Sequence, residues 1–178
     1  MSDIADTLNL YLAKYPEERD SLTLLLSQLT TGEELTKRKN FTGHVTGSGL
    51  VLSLDRSKVL LIFHRIRGRW QQPGGHMDPG ELNPLESARR EVQEETGLTD
   101  FVLLGAEVPV HVDTHFIPAN PKKQEPEHWH HDFQYAFIAQ NEHLHVDDDG
   151  VMAAEWVSLD DPRVLAEPWI AQAIQRLG

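Results

Sequence analysis

Apolar positions along this 178-residue chain change period four times, and each change predicts a different kind of element. In residues 3–30 the spacing is helical: Leu8, Tyr11 and Leu12 form one stripe and Leu22, Leu25, Leu26 and Leu29 another, with Pro16 between them. Residues 30–40, "TTGEELTKRKN", are polar and read as a connector. From Phe41 the period becomes that of strands. "HVTGSGLVLSLD" and "KVLLIFHRI" are extended runs joined by the turn "DRSK". A Gly/Pro-rich loop, "RGRWQQPGGHMDPGELNP", leads into a helix, and "FVLLGAEVPVHVDTHFI" is strand-like again. "PANPKKQEPEH" is a polar loop, "WHHDFQYAFIAQ" and "AAEWVSL" are strands, and "DPRVLAEPWIAQAIQRL" closes the chain as a helix. Strands and helices without regular alternation predict a mixed sheet covered by helices. Residues 1–40 read as a helical extension and residues 41–178 as the main domain, since an independent unit of the extension's size would be marginal.

The helix after the long loop is strongly marked. Asn83 suits the N-cap, Pro84 the first helical position, Glu86 completes a capping box, and Gly97 fits a left-handed stop. Leu85, Ala88, Val92 and Thr96 share one face. Glu91, Glu94 and Glu95 fall within an arc of about 100° on the far side, with Arg90 at its edge. Crowding like charges at i,i+4 costs a helix roughly 0.2–0.5 kcal/mol, and negative charge near the C-terminus opposes the macrodipole. A solvated acidic face is the plain reading. A hard divalent cation is the functional one, because it takes oxygen ligands and converts the repulsion to attraction.

Composition narrows the classes. The net charge is −12, which disfavours nucleic acid or an anionic membrane as partner. There is no cysteine, so disulfides, zinc–thiolate sites and cysteine nucleophiles are excluded. The start "MSDIADTLNLYLAKY" lacks the pattern of a signal peptide, and no apolar run is long enough to span a bilayer, so a cytoplasmic protein is expected.

Gly75, five residues, Glu81, then "REVQEETGL" from Arg90 to Leu98 resembles the signature of the Nudix hydrolases, G-x5-E-x7-R-E-U-x-E-E-x-G-U, where U is aliphatic. Every fixed position is present, but eight residues rather than seven separate Glu81 from Arg90, the extra one lying in "LNP" ahead of the helix. The resemblance implies an α/β/α sandwich around a mixed sheet. It implies Mg²⁺ or Mn²⁺ held by Glu91, Glu94, Glu95 and the Gly74 carbonyl, with Arg90 and Glu81 pairing or orienting the glutamates. It also implies hydrolysis of the pyrophosphate of a nucleoside diphosphate linked to another group. The catalytic base would be Glu91 or Glu94, or an acidic residue outside the box: Asp113, Glu125, Glu127 or Asp132. The alternative within the fold is a module that binds a nucleotide metabolite without turnover. An isoprenyl-diphosphate isomerase would call for a cysteine that this chain lacks.

Two further patterns stand out. Arg65, Arg67 and Arg69 would share one face at strand spacing, either as a phosphate clamp or as a solubilised strand end. Neighbouring Trp70 reads as a base-stacking residue or, more simply, an apolar anchor. His111, Asp113 and His115 share a face, as do His128, His130, Asp132 and Gln134. If the two strands are close, these faces meet near the box, as a second metal site, as a substrate surface, or as a merely polar strand face. His76 in the box loop is a further pocket candidate, whereas His44, His64, His143 and His145 carry no clear signal. The expected partner is a small nucleotide derivative. For the N-terminal helices a cap over the pocket, a homodimer contact and a plain extension of the core all stay open.

Overall fold

The structure is a computed structural model that describes residues 3–146 and 150–177. Eight strands form one mixed sheet: β1 Gly43–Leu52, β2 Lys58–His64, β3 Arg69–Gln71, β4 Gly74–His76, β5 Phe101–Leu103, β6 His111–Ile117, β7 His128–Ala139 and β8 Val151–Ser158. The long central pair, β1 and β7, is parallel over its whole length, from Gly43 opposite Trp129 to Leu52 opposite Ile138. The other pairings are antiparallel. Helices α1 (Ile4–Lys14), α2 (Thr23–Thr31) and α3 (Pro84–Thr96) are followed at the end of the chain by α4 (Pro162–Leu165) and α5 (Pro168–Leu177).

The two faces of β1 and β7 explain the layering. Odd-numbered Val45, Val51, Phe133, Tyr135 and Phe137 join Leu8, Tyr11, Leu12, Leu25, Leu85, Ala88 and Val92 in one buried cluster, which carries α1–α3. Gly47 lets α3 lie directly on the strand: a Cβ there would collide with the Pro84 carbonyl and the Ser87 hydroxyl. Even-numbered Leu50, Leu52 and Ala136 join Val164, Ile170 and Ala173 in the second cluster, under α4 and α5. Toward the start of both strands the same even face turns polar, with His44, Thr46, Ser48, His130, Asp132 and Gln134 all buried. A strand face that leaves its apolar layer while remaining buried must satisfy its polar groups within the protein, and this is where the site lies.

The N-terminal helices share the core. His131 donates from Nε2 to Gln28 Oε1 of α2 (2.8 Å) and accepts at Nδ1 from Thr114 Oγ1 (2.8 Å), which fixes this histidine as a structural tie. Arg176 of α5 donates to Tyr11 Oη (2.9 Å) and pairs with Glu18.

The sequence pattern differs from the fold in three places. The apolar run 101–117 is two strands, because Gly105 takes a positive φ of 86° and breaks the run. The closing helix is two helices, with Pro168 opening the second. The long loop contains the short strands β3 and β4, too brief for a periodic signal.

Candidate active site

Helix α3 begins as its capping residues require. Asn83 Oδ1 accepts from the Glu86 amide (3.2 Å), while Glu86 Oε2 accepts from Leu82 N (2.9 Å), so the reciprocal half of the box reaches one residue further back than expected. Gly97 ends the helix at φ 70°.

The three glutamates do not share one solvated face. Glu95 is buried and accepts from the Gly74 amide (2.8 Å), which pins the start of β4 to the helix. Glu91 lies against the loop so closely that a Cβ on Gly75 would collide with its carboxylate. Only Glu94 is open, its side chain 54% exposed. Arg90 organises the group. It donates to Glu81 Oε1 (2.9 Å), Glu91 Oε1 (2.8 Å), Glu94 Oε2 (2.9 Å) and the His76 carbonyl (2.7 Å), with Asp78 at 3.4 Å. Burial alone would lower the Arg90 pKa, but its bonds to Glu81 and Glu91 outweigh this and hold it above the ordinary value. Burial raises the Glu91 carboxyl despite Arg90 beside it, and Glu94 and Asp78 add to the rise. Glu81 also accepts from the Asp78 amide (2.6 Å). The extra residue of the box is thus absorbed before the helix, around Gly80 (φ 103°) and exposed Leu82, without displacing Glu81 from Arg90.

Of these groups Glu91, Glu95 and Asp78 line a cavity of about 610 Å³, together with Gly74, Gly75, His76 and Asp132 among others, whereas Glu81, Arg90 and Glu94 are not among its lining residues; the size suits a small-molecule ligand. Its cationic wall is made by Arg38, Arg67, Arg69 and Lys123. The three clustered arginines are not one strand face, because residues 65–68 form the turn between β2 and β3, with Gly68 at φ 62°. Arg67 and Arg69 reach the cavity and Arg65 is not among its lining residues. Arg67 bonds Gln71 (3.3 Å), and Arg69 lies 3.6 Å from Glu167 and over the Trp169 ring. Trp70 is an anchor, set edge-on to Phe63 and covered by Arg163.

The two histidine-bearing faces meet. β6 and β7 pair with His115 opposite His130 and Asp113 opposite Asp132, and β1 adds His44 opposite His130 and Thr46 opposite Asp132. Asp132 is buried and accepts from Thr46 Oγ1 (2.8 Å) and Ser48 Oγ (2.5 Å). Burial, then the charge of Asp113, pushes its pKa up to about 6 against the pull of both hydroxyls and His115. Of the acidic residues outside the box, Asp113 and Asp132 line the cavity, whereas Glu125 is paired with Arg38 (2.7 Å) and Glu127 lies at a separate shallow pocket. His76, His44 and His130 cluster with ring centroids 4.7–5.1 Å apart, two of the pairs tilted and His76 edge-on to His130. Burial is the main cause that lowers the pKa of all three, His76 to about 3. Sequence reasoning missed Arg38, Lys123, Trp169, Thr46 and Ser48. Arg38 stood in the basic "TKRKN", but the others had no local signal.

Fold and site together define a class: an α/β/α sandwich that sets a glutamate-bearing helix against a glycine loop at the mouth of a cation-lined cavity. The chain belongs to the NUDIX family, whose NUDIX domain model matches residues 43–177. A Lactococcus lactis subsp. cremoris (strain MG1363) protein named "Probable DHNTP pyrophosphohydrolase" is 32% identical over 120 residues, which is 67% of this chain and 69% of that protein. The asymmetrical bis(5'-nucleosyl)-tetraphosphatase of Rattus norvegicus is 66% identical over a 29-residue stretch, 16% of this chain and 19% of the rat protein. Among solved structures, a NUDIX-family hydrolase from Clostridium perfringens superposes with a TM-score of 0.58 at 22% identity, covering 75% of this chain and 95% of that one. Among the described residues, no helix is long and apolar enough to cross a membrane.

Proposed function

We propose that this chain is a divalent-metal-dependent pyrophosphohydrolase acting on a nucleoside diphosphate linked to another moiety. The observation that carries the reading is the Arg90-centred carboxylate group, held against β4, with Glu91 lining a cavity that has a cationic wall. The donor set fits the metal the family uses. Glu91, Glu94 and Glu95 with the Gly74 carbonyl supply only oxygen, as Mg²⁺ or Mn²⁺ prefers. Burial raises the Glu91 carboxyl even with Arg90 Nη1 2.8 Å away, and a bound cation would favour its ionised form. When bound, such a cation screens the diphosphate charge, polarises the attacked phosphorus and acidifies a water.

The chain's own groups do the rest. Arg90 sets the spacing of Glu91 and Glu94 and, through the His76 carbonyl, ties the helix to the loop. Arg67 and Arg69 supply guanidinium donors that suit phosphate oxygens. His76 and Asp132 line the substrate space, and Trp169 offers a ring for stacking. The proton acceptor for the attacking water is a carboxylate of the cavity wall, where Glu91, Asp113 and Asp132 stand. Residues 1–40 extend the 41–178 domain, and the site of action is cytoplasmic, on small molecules.

A phosphate-release screen over nucleotide sugars, dinucleotides, ADP-ribose and nucleoside triphosphates, with and without Mg²⁺, tests the reading. Mg²⁺-dependent release from one class is expected. Tight binding of a nucleotide with no release from any would instead make the chain a sensing module. For the substrate so found, Arg67→Ala is expected to raise KM about tenfold with kcat little changed, the loss of one charged hydrogen bond. An unchanged KM would return Arg67 to the solvated surface.

A further inference from the structure

Beside the carboxylates lies a second constellation of different chemistry. One ligand atom from each of His44, His76 and His130 lies within 4.8 Å of the other two. The three rings come from three strands, β1, β4 and β7, so the cluster is a product of the fold and not of a local run. His44 has the hydrogen bonding of a prepared metal ligand. His44 Nδ1 faces the Asn40 carbonyl (3.1 Å), and a carbonyl only accepts, so Nδ1 carries the proton. His44 Nε2 is then a bare lone pair, and it is buried with no hydrogen-bond partner. A buried acceptor left unpaired costs free energy, and a backbone carbonyl that fixes the tautomer of an imidazole is the usual outer partner of a metal-bound histidine. His128 repeats the device. Its Nδ1 donates to the Pro126 carbonyl (2.8 Å), so its Nε2 accepts from Nε2 of His130 (3.2 Å), a contact that an ion held between the two would replace. Two nitrogens bound tetrahedrally at about 2.0–2.1 Å stand roughly 3.3 Å apart, so this pair already has the spacing of one edge of such a site.

We propose that His44, His76 and His130, with His128 as the nearest fourth donor, bind a first-row transition-metal dication of the Zn²⁺ type. Imidazole nitrogen selects such ions over Mg²⁺, and the neutral ring is the form that binds. The ion would clamp the box loop, through His76, to the two central strands, through His44 and His130. It would sit in the wall of the same cavity, since His76 and His130 line it. This inference does not rest on the proposed hydrolysis.

The test uses the full chain stripped with a chelator and then titrated with Co²⁺, which reports nitrogen ligation by its visible d–d bands. Wild type is expected to take up one equivalent with these bands, to retain it in millimolar Mg²⁺, and to yield it to Zn²⁺. His76→Gln, at a half-buried position at the end of the short strand β4 and outside the hydrophobic core, is expected to weaken Co²⁺ binding at least roughly tenfold to a hundredfold, the range that losing even an outer partner costs. Glu91→Gln is expected to leave the bands in place. Loss of the bands in Glu91→Gln with retention in His76→Gln would assign the ion to the carboxylates and overturn the proposal. So would absence of the bands from wild type at equimolar Co²⁺. Failure of the phosphate-release screen would leave the Co²⁺ result standing, so the two readings fall separately.

Discussion

Glu94→Gln is expected to lower kcat by about 10²–10⁴-fold, the range a positioned acid–base or electrostatic group supplies, while leaving the protein folded. The two halves of that expectation have different origins. Glu94 is the open member of the cluster, 54% exposed, and it packs into no core. Glutamine keeps its length and can still accept from Arg90 Nη1, so the thermal midpoint should move by no more than an exposed substitution does, within about 0.5 kcal/mol of stability. What glutamine cannot keep is the charge, and a neutral amide is a poor ligand for a hard dication. Steady-state kinetics at saturating Mg²⁺, paired with a thermal melt, separates the halves. Wild-type turnover would remove Glu94 from the metal site, and a collapsed melt would make it structural instead.

The contrast between Glu94 and Glu95 shows what was legible in the chain and what was not. The capping residues Asn83, Pro84 and Gly97 set the start and stop of α3 from local chemistry alone, and the wheel placed Leu85, Ala88 and Val92 inward as found. The wheel also placed Glu95 outward, because a helical projection contains no neighbours. The neighbour is β4, whose Gly74 amide takes the Glu95 carboxylate. Period-two alternation correctly put His111, Asp113 and His115 on one face and His128, His130 and Asp132 on another, since strand geometry needs no tertiary information. It left His44 without a signal. That residue acquires its neighbours only through the parallel pairing of β1 with β7, across some ninety residues of chain. Arg65, Arg67 and Arg69 were misassigned to one face for the opposite reason: Gly68 turns the chain within the run. Alternation and capping are local physics and can be read directly. Register between distant strands is a collective outcome, and the site sits on that register.

Arg90→Ala should be the most destabilising single change in the site, by about 2–3 kcal/mol in the metal-free protein. The value lies below the 3–5 kcal/mol for breaking a fully buried pair, because Arg90 keeps 22% of its side chain in solvent and Glu94 more. One guanidinium faces Glu81, Glu91, Glu94 and Asp78 and also satisfies the His76 carbonyl, so its removal leaves four carboxylates with no cation between them. The sign with pH follows from the linkage. Arg90 is held above its ordinary pKa, so its own charge is present throughout the working range and is lost only far into alkali. Its stabilising effect is lost in acid instead, when the partners take up protons. Burial lifts the Glu91 carboxyl above its ordinary 4.5, so the gap between wild type and variant should be full near neutrality and shrink as pH falls through that raised value. Divalent cation should narrow the same gap from the other side. If Mg²⁺ occupies the carboxylates, it should raise the melting temperature of Arg90→Ala more than that of wild type, because the variant has more uncompensated charge to neutralise. Equal Mg²⁺ shifts in the two proteins would mean that the ion and the guanidinium do not share those carboxylates. A gap that stays constant from pH 7 to 4 would mean that Arg90 stabilises the protein through its packing and the His76 carbonyl rather than through charge.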